Sequence, residues 1–212
     1  MVIVGVVGGI GSGKSAVCRW VAERDPTIGI IDADRDGHRA LELPPVTRKL
    51  RDLFGEEIFG PDGKVLRSAL AKRVFGDSAD AGAARRQLEA IVHPAIAALR
   101  DEQLAEMSSS GTVRAVLVDA PILLEAGWGN ACDAVVFIDV PREIRLERVR
   151  QRGWNESELA RREASQWPVE EKKAAADFVV ENGGTLDNAG TQMYEYIQRL
   201  VASAAKQEFA AD

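Results

Sequence analysis

The chain has 212 residues, 46% of them hydrophobic and 28% charged. That balance suits one soluble globular domain and excludes disordered, collagen-like and membrane-spanning classes. With 27 basic and 33 acidic residues the formal charge is −6, so no broad basic field is available to hold a nucleic-acid backbone, and any anion site must be local.

The first apolar run, residues 2–7, is continuous rather than alternating, which is the pattern of a strand buried on both faces of a parallel sheet. Directly after it stands Gly8-Gly9-Ile10-Gly11-Ser12-Gly13-Lys14-Ser15, and then helical spacing over 15–24. The octet fits GxxxxGK[ST] in the strand–helix context that this motif requires. Its glycines let successive N–H groups turn inward on phosphate oxygens, so Gly11, Ser12 and Gly13 are predicted to line a nucleotide's phosphates. The amides of Ser15 and Ala16 have no partner within the helix and are free to donate. Lys14 is placed to neutralise the β- and γ-phosphates, and the Ser15 hydroxyl to ligate Mg²⁺. A dinucleotide loop is excluded, because counting GxGxxG from Gly9 ends on Lys14.

A second run, 28–31, ends in Asp32-Ala33-Asp34. Asp34 lies twenty residues beyond Lys14, at a strand end where ligands sit. It is read as the base that takes a proton from an attacking hydroxyl, with Asp32 as a metal-shell or helix-capping residue. Residues 33–112 then carry no convincing strand. Leu88, Ile91, Val92, Ile96 and Leu99 recur at helical spacing, and Pro94 is predicted to start a new helix after His93. A crossover of this length is an inserted helical subdomain, with Ser108-Ser109-Ser110-Gly111 as its exit loop.

The third run, 115–118, leads to Asp119, at the place of a Walker-B carboxylate that would order Mg²⁺. Pro121 is predicted in the first turn of a helix, and Glu125 is either a buried site carboxylate or a surface group. After the fourth run, 135–140, helical spacing over 142–152 puts Arg145, Arg148 and Arg152 on one face. That stripe is either solvated or part of a lid carrying charge to the transferring phosphoryl group, and the lid reading is preferred. Gly153 and Trp154 would mark the lid's tip, with Trp154 the most exposed of the four tryptophans. A fifth run, 178–180, enters Glu181-Asn182-Gly183-Gly184, where Asn182 would contact adenine or make an ordinary turn. The tail from residue 202 onward is expected to fray. Cys18 and Cys132, with no CxxC or ligand spacing, read as reduced thiols. The N-terminus carries no signal-like pattern, so the expected location is cytoplasmic.

Taken together, Gly8 to Ser15, Ile31-Asp32-Ala33-Asp34, His93-Pro94 and Pro121-Ile122-Leu123-Leu124-Glu125 make a combination that resembles the dephospho-coenzyme A kinase family nearly end to end. The resemblance implies one α/β domain over 1–212 with the P-loop kinase fold: a five-stranded parallel sheet flanked by helices. It also implies an acceptor-binding helical insert over about 59–111 and a lid over about 141–168. The implied reaction moves the γ-phosphate of ATP to the ribose 3′-hydroxyl of dephospho-coenzyme A, with Mg²⁺. Asp34 would be the base, Arg148 and Arg152 the lid charges and His93 a contact to the acceptor; Arg67, as a basic residue of the insert, and Glu125 are read as further acceptor contacts. The implied protein is a monomer or weak homo-oligomer, with no nucleic acid or membrane partner. A guanine-reading Asn-Lys-x-Asp is absent, which argues against a GTP switch.

Overall fold

The computed structural model describes residues 1–74 and 79–211, with backbone alone at residues 79 and 208–211. Five strands form one sheet: β1 (Val2–Gly8), β2 (Ile28–Asp32), β3 (Ala115–Asp119), β4 (Ala134–Asp139) and β5 (Phe178–Glu181). Their order is β2-β3-β1-β4-β5 and every pairing is parallel. The continuous apolar runs follow from this arrangement, since β3 is buried at every position and β1 at all but one. Crossovers leave the central β1 toward both edges, so the loop after Gly8 lies at the switch point of the sheet, where ligands of open α/β folds bind.

Helix α1 (Lys14–Arg24) and the C-terminal α9 (Leu186–Ala211) pack against each other. Val17, Cys18 and Val21 of α1 meet Ala189, Met193 and Ile197 of α9 in a core shared with β1, β3 and β4. The expected fraying after residue 202 is not seen. Leu200, Val201 and Ala204 extend the apolar stripe of α9 onto that core, the helix continues to Ala211, and Asp212 lies outside the described residues. Cys18 is fully buried, and burial pushes its thiol well above the ordinary range, keeping it an uncharged packing group. Cys132 is also free and half-buried.

The chain divides into two compact units, Met1–Asp32 with Leu104–Asp212, and Ala33–Gln103. The second contains α2 (Ala33–Ala40), α3 (Pro44–Phe54), α4 (Arg67–Val74) and most of α5 (Ala79–Ser109). It has its own core of Val46, Leu50, Ile58, Phe59, Leu70, Val74, Val92 and Leu99. Pro94 does not begin a helix: α5 passes straight through it. Its ring is on the exposed side while Val92 and Leu99 are buried, so one continuous apolar face offsets the hydrogen bond that the proline removes. The helix also absorbs Ser108 and Ser109, and the exit loop begins only at Ser110.

Two further expectations are corrected. Residues 121–127 after β3 form successive turns rather than a helix. Trp167, at 43% exposure, is the exposed tryptophan. Trp154 is half-buried because the Arg162 guanidinium lies over its ring at 4.1 Å.

Candidate active site

The loop between β1 and α1 is built by close approach. Gly13 caps α1 in the left-handed region, with φ of 84°, which a side chain would strain. A Cβ at Gly9 would stand 2.8 Å from an Arg145 guanidinium nitrogen, so a side chain there would displace the arginine from the loop. Lys14 and Ser15 are the first two residues of α1, where the helix dipole favours an anion; the Ala16 amide, expected to be free, donates instead to the Gly13 carbonyl at 3.0 Å.

Asp119 ends β3 and stands in register with Val6 of β1 on one side and Asp32 of β2 on the other. The Ser15 hydroxyl donates to its carboxylate, and Lys14 adds a favourable charge. Burial outweighs both and, with Asp32 nearby, pushes the Asp119 carboxyl above its ordinary 3.8. Asp34, by contrast, is exposed in the first turn of α2, and Asp32 immediately precedes that helix. His93 is half-buried on α5, and Arg67 is exposed at the start of α4.

Helix α6 (Arg142–Arg150) follows β4, and α7 (Glu156–Glu163) returns beside it. Arg148 donates to the carbonyls of Ser12 at 3.0 Å and Gly11 at 3.4 Å, and to that of Asn182 at 3.0 Å. Arg145 is buried, donates to the Ile10 carbonyl at 3.2 Å and is paired with Glu163 of α7. A second pair, Arg142 with Glu156 at 2.7 Å, also ties α6 to α7; the guanidinium holds the Glu156 carboxyl below its usual range. Arg152 lies two residues beyond α6, exposed in the turn to α7, and so does not continue the stripe of Arg145 and Arg148 as helical spacing predicts. Asn182 is buried, and its side-chain amide donates to the Ser12 carbonyl at 2.7 Å. In this structure that amide serves the phosphate loop.

Glu125 accepts from the Trp167 backbone N–H at 2.9 Å and pairs with Lys172 at 2.7 Å. Lys172 belongs to α8 (Val169–Ala174), and its side chain is only 1% exposed. It also donates to the Pro121 carbonyl at 2.7 Å and to Gln166 Oε1 at 3.0 Å. Sequence reasoning missed this knot, together with the Arg145–Glu163 pair. The available signal was a lysine within an otherwise ordinary charged helix, and nothing in its neighbours marked it as buried.

Solved structures share the arrangement. The crystal structure of TT1252 from Thermus thermophilus is 32% identical, with 94% of this chain and 97% of that one covered and a TM-score of 0.79. The dephospho-CoA kinase from Campylobacter jejuni, at 24% identity and covering 95% and 98%, has the same fold with a TM-score of 0.69. Fold and loop together define a P-loop kinase. The family model for dephospho-CoA kinase matches residues 2–188. A curated relative of that name in Geobacter sulfurreducens is 43% identical over 188 residues, 87% of this chain and 91% of that protein. The chain therefore belongs to the dephospho-CoA kinase family, transferases that phosphorylate dephospho-coenzyme A with ATP.

Proposed function

We propose that this protein transfers the γ-phosphate of ATP to the ribose 3′-hydroxyl of dephospho-coenzyme A, giving coenzyme A and ADP. The single observation that carries the chemistry is Ser15 at the head of α1 hydrogen-bonded to the buried Asp119, beside Lys14. A hydroxyl and a carboxylate are hard oxygen donors, a set that fits Mg²⁺. Ser15 and Asp119 would hold the ion, with Asp32 in its outer shell. When bound, Mg²⁺ would supply positive charge to offset the charge that develops on the phosphate oxygens.

The protein's own residues do the rest. The amides of Gly11, Gly13, Lys14 and Ser15 cradle the phosphates, those of Ser12 and Ala16 being bonded to the Gly9 and Gly13 carbonyls, and Lys14 spans the β and γ groups. Asp34 accepts the proton of the 3′-hydroxyl as its oxygen bonds to the γ-phosphorus and the bond to the β-phosphate oxygen breaks. Arg148 holds the loop through its carbonyls while presenting charge beside it, and Arg152 supplies a second charge as the lid closes. Asn182 positions the loop at its Gly13 end, next to the donor's adenine. Arg67 and His93 of the helical unit contact the acceptor, and Glu125 acts on it through the loop that carries Trp167. Among the described residues no helix is long and apolar enough to cross a membrane. The enzyme would work on small substrates in the cytoplasm, as a monomer or weak homo-oligomer. Incubation with ATP and dephospho-coenzyme A, followed by ³¹P NMR of the product, tests the reading. A new 3′-phosphomonoester resonance is expected; phosphate at another hydroxyl, or none, refutes it.

A further inference from the structure

We infer that the cleft between the start of the phosphate loop and residues 166–169 seats the acceptor's adenine ring, with the Trp167 indole as its stacking face. This rests on the proposed function and names the substrate contact that it leaves open. The cleft holds about 170 Å³ and is bounded by Gly9, Ile10, Arg145, Gln166, Trp167 and Lys172. Sites that enclose a whole small molecule measure roughly 300–1,000 Å³, so this one has room for one ring system and not for a nucleotide.

Its charges say what kind of group enters. Arg145 is paired with Glu163, Lys172 with Glu125, and Arg142 at the rim with Glu156. Each cation is thus answered by a carboxylate, so the walls favour a neutral, flat group over a phosphate. Trp167 supplies the matching surface. It is the one exposed tryptophan, and an amphipathic ring held open to solvent beside a phosphate loop is suited to stacking a base. The ring is not merely left outside. Its backbone N–H is anchored by Glu125, and Glu125 is held by the buried Lys172, which also fixes Gln166. A buried ion pair that secures a five-residue turn is a costly way to place a solvent-facing side chain, unless that side chain has a partner.

Position separates this base from the donor's. Asn182 and Arg148 meet the loop at Ser12 and Gly13, whereas the cleft begins at Gly9 and Ile10. Two nucleosides are therefore served at opposite ends of one loop.

Steady-state kinetics of Trp167→Ala and Trp167→Phe test the assignment, with dephospho-coenzyme A and AMP as alternative acceptors. Trp167→Ala should raise KM for both acceptors by roughly 5- to 150-fold, the range for a lost base–aromatic stack. Trp167→Phe should raise it less, and KM for ATP should not move in either variant. Titrating dephospho-coenzyme A should quench the intrinsic fluorescence of the wild type, and that quench should vanish in Trp167→Phe while Trp20, Trp128 and Trp154 still report. An unchanged acceptor KM overturns the proposal, and so does an equal rise for ATP. A rise with dephospho-coenzyme A alone also overturns it, since the indole would then touch the pantetheine arm. If Trp167→Ala does not fold, the quench in Trp167→Phe decides. A wild type that binds dephospho-coenzyme A but transfers nothing to it would refute the proposed function, and the quench would still test the cleft.

Discussion

Replacing Lys172 by methionine should destabilise the protein far more than an exposed lysine substitution would. The ammonium is 1% exposed and meets three oxygens, Glu125 Oε1 at 2.7 Å, the Pro121 carbonyl at 2.7 Å and Gln166 Oε1 at 3.0 Å. Methionine fills the same channel without charge, so packing is largely kept and the loss is electrostatic. It leaves the Glu125 carboxylate, 17% exposed and with Oε2 already buried and unpartnered, facing no cation. Breaking a buried pair from one side costs about 3–5 kcal/mol. For a chain of this length each kcal/mol moves Tm by roughly 2–4 °C, so the shift should be on the order of 6–20 °C. Removing the partner as well, in Glu125→Gln with Lys172→Met, takes away the stranded charge. It should recover roughly 2 kcal/mol or more of that loss. Urea denaturation of the wild type, the two single variants and the double variant, followed by far-ultraviolet circular dichroism, measures the coupling. A Lys172→Met cost under about 1 kcal/mol, or a double variant no better than the single one, would refute the reasoning.

Three other outcomes follow from the site. Asp34→Asn should lower kcat by about 10²–10⁴-fold, the usual contribution of a positioned base, with KM for the acceptor much less affected; lost binding with kcat preserved would make Asp34 a positioning group. Arg148→Ala removes donors to three loop and strand-end carbonyls and should raise KM for ATP and cut kcat by roughly 10²–10³, whereas Arg150→Ala, exposed on the other face, should be nearly silent in the same assay. Asp119 has a folded pKa raised by burial, so its ionisation opposes folding: the contribution is complete below about 3.8 and is lost as pH rises through the raised value. Asp119→Asn should therefore raise Tm of the metal-free protein at pH 7 and leave it little changed near pH 3, while raising the Mg²⁺ concentration needed for half-maximal turnover; a lower Tm at pH 7 would contradict the sign.

The five strands were legible because each is buried on both faces and so reads as an unbroken apolar run, as Val2–Gly8 and Ala115–Asp119 do. The phosphate loop was legible because its residues are contiguous: backbone curl, helix start, lysine and hydroxyl are all written in one octet. Pro94 misled because local chemistry says break, while the stripe from Leu88 to Leu99 is apolar on both sides of it. Fraying after residue 202 was a local inference that the packing of Leu200, Val201 and Ala204 overrides. Glu125, Trp167 and Lys172 could not be read together, because the pair is 47 positions apart and only the fold makes it a contact. Arg152 was placed by helical spacing on a stripe that ends with α6 at Arg150.

The central claim is that dephospho-coenzyme A is the acceptor, and kcat/KM for dephospho-coenzyme A against AMP, with ATP labelled at the γ position, tests it most directly. Binding energy from the pyrophosphate and pantetheine arm should help to orient the ribose, so truncating the acceptor should lower kcat as well as raise KM. The kcat/KM for dephospho-coenzyme A is expected to be at least about a hundredfold above that for AMP, equivalent to roughly 2.7 kcal/mol of transition-state stabilisation. Comparable values for the two would contradict it and make this chain a nucleotide kinase.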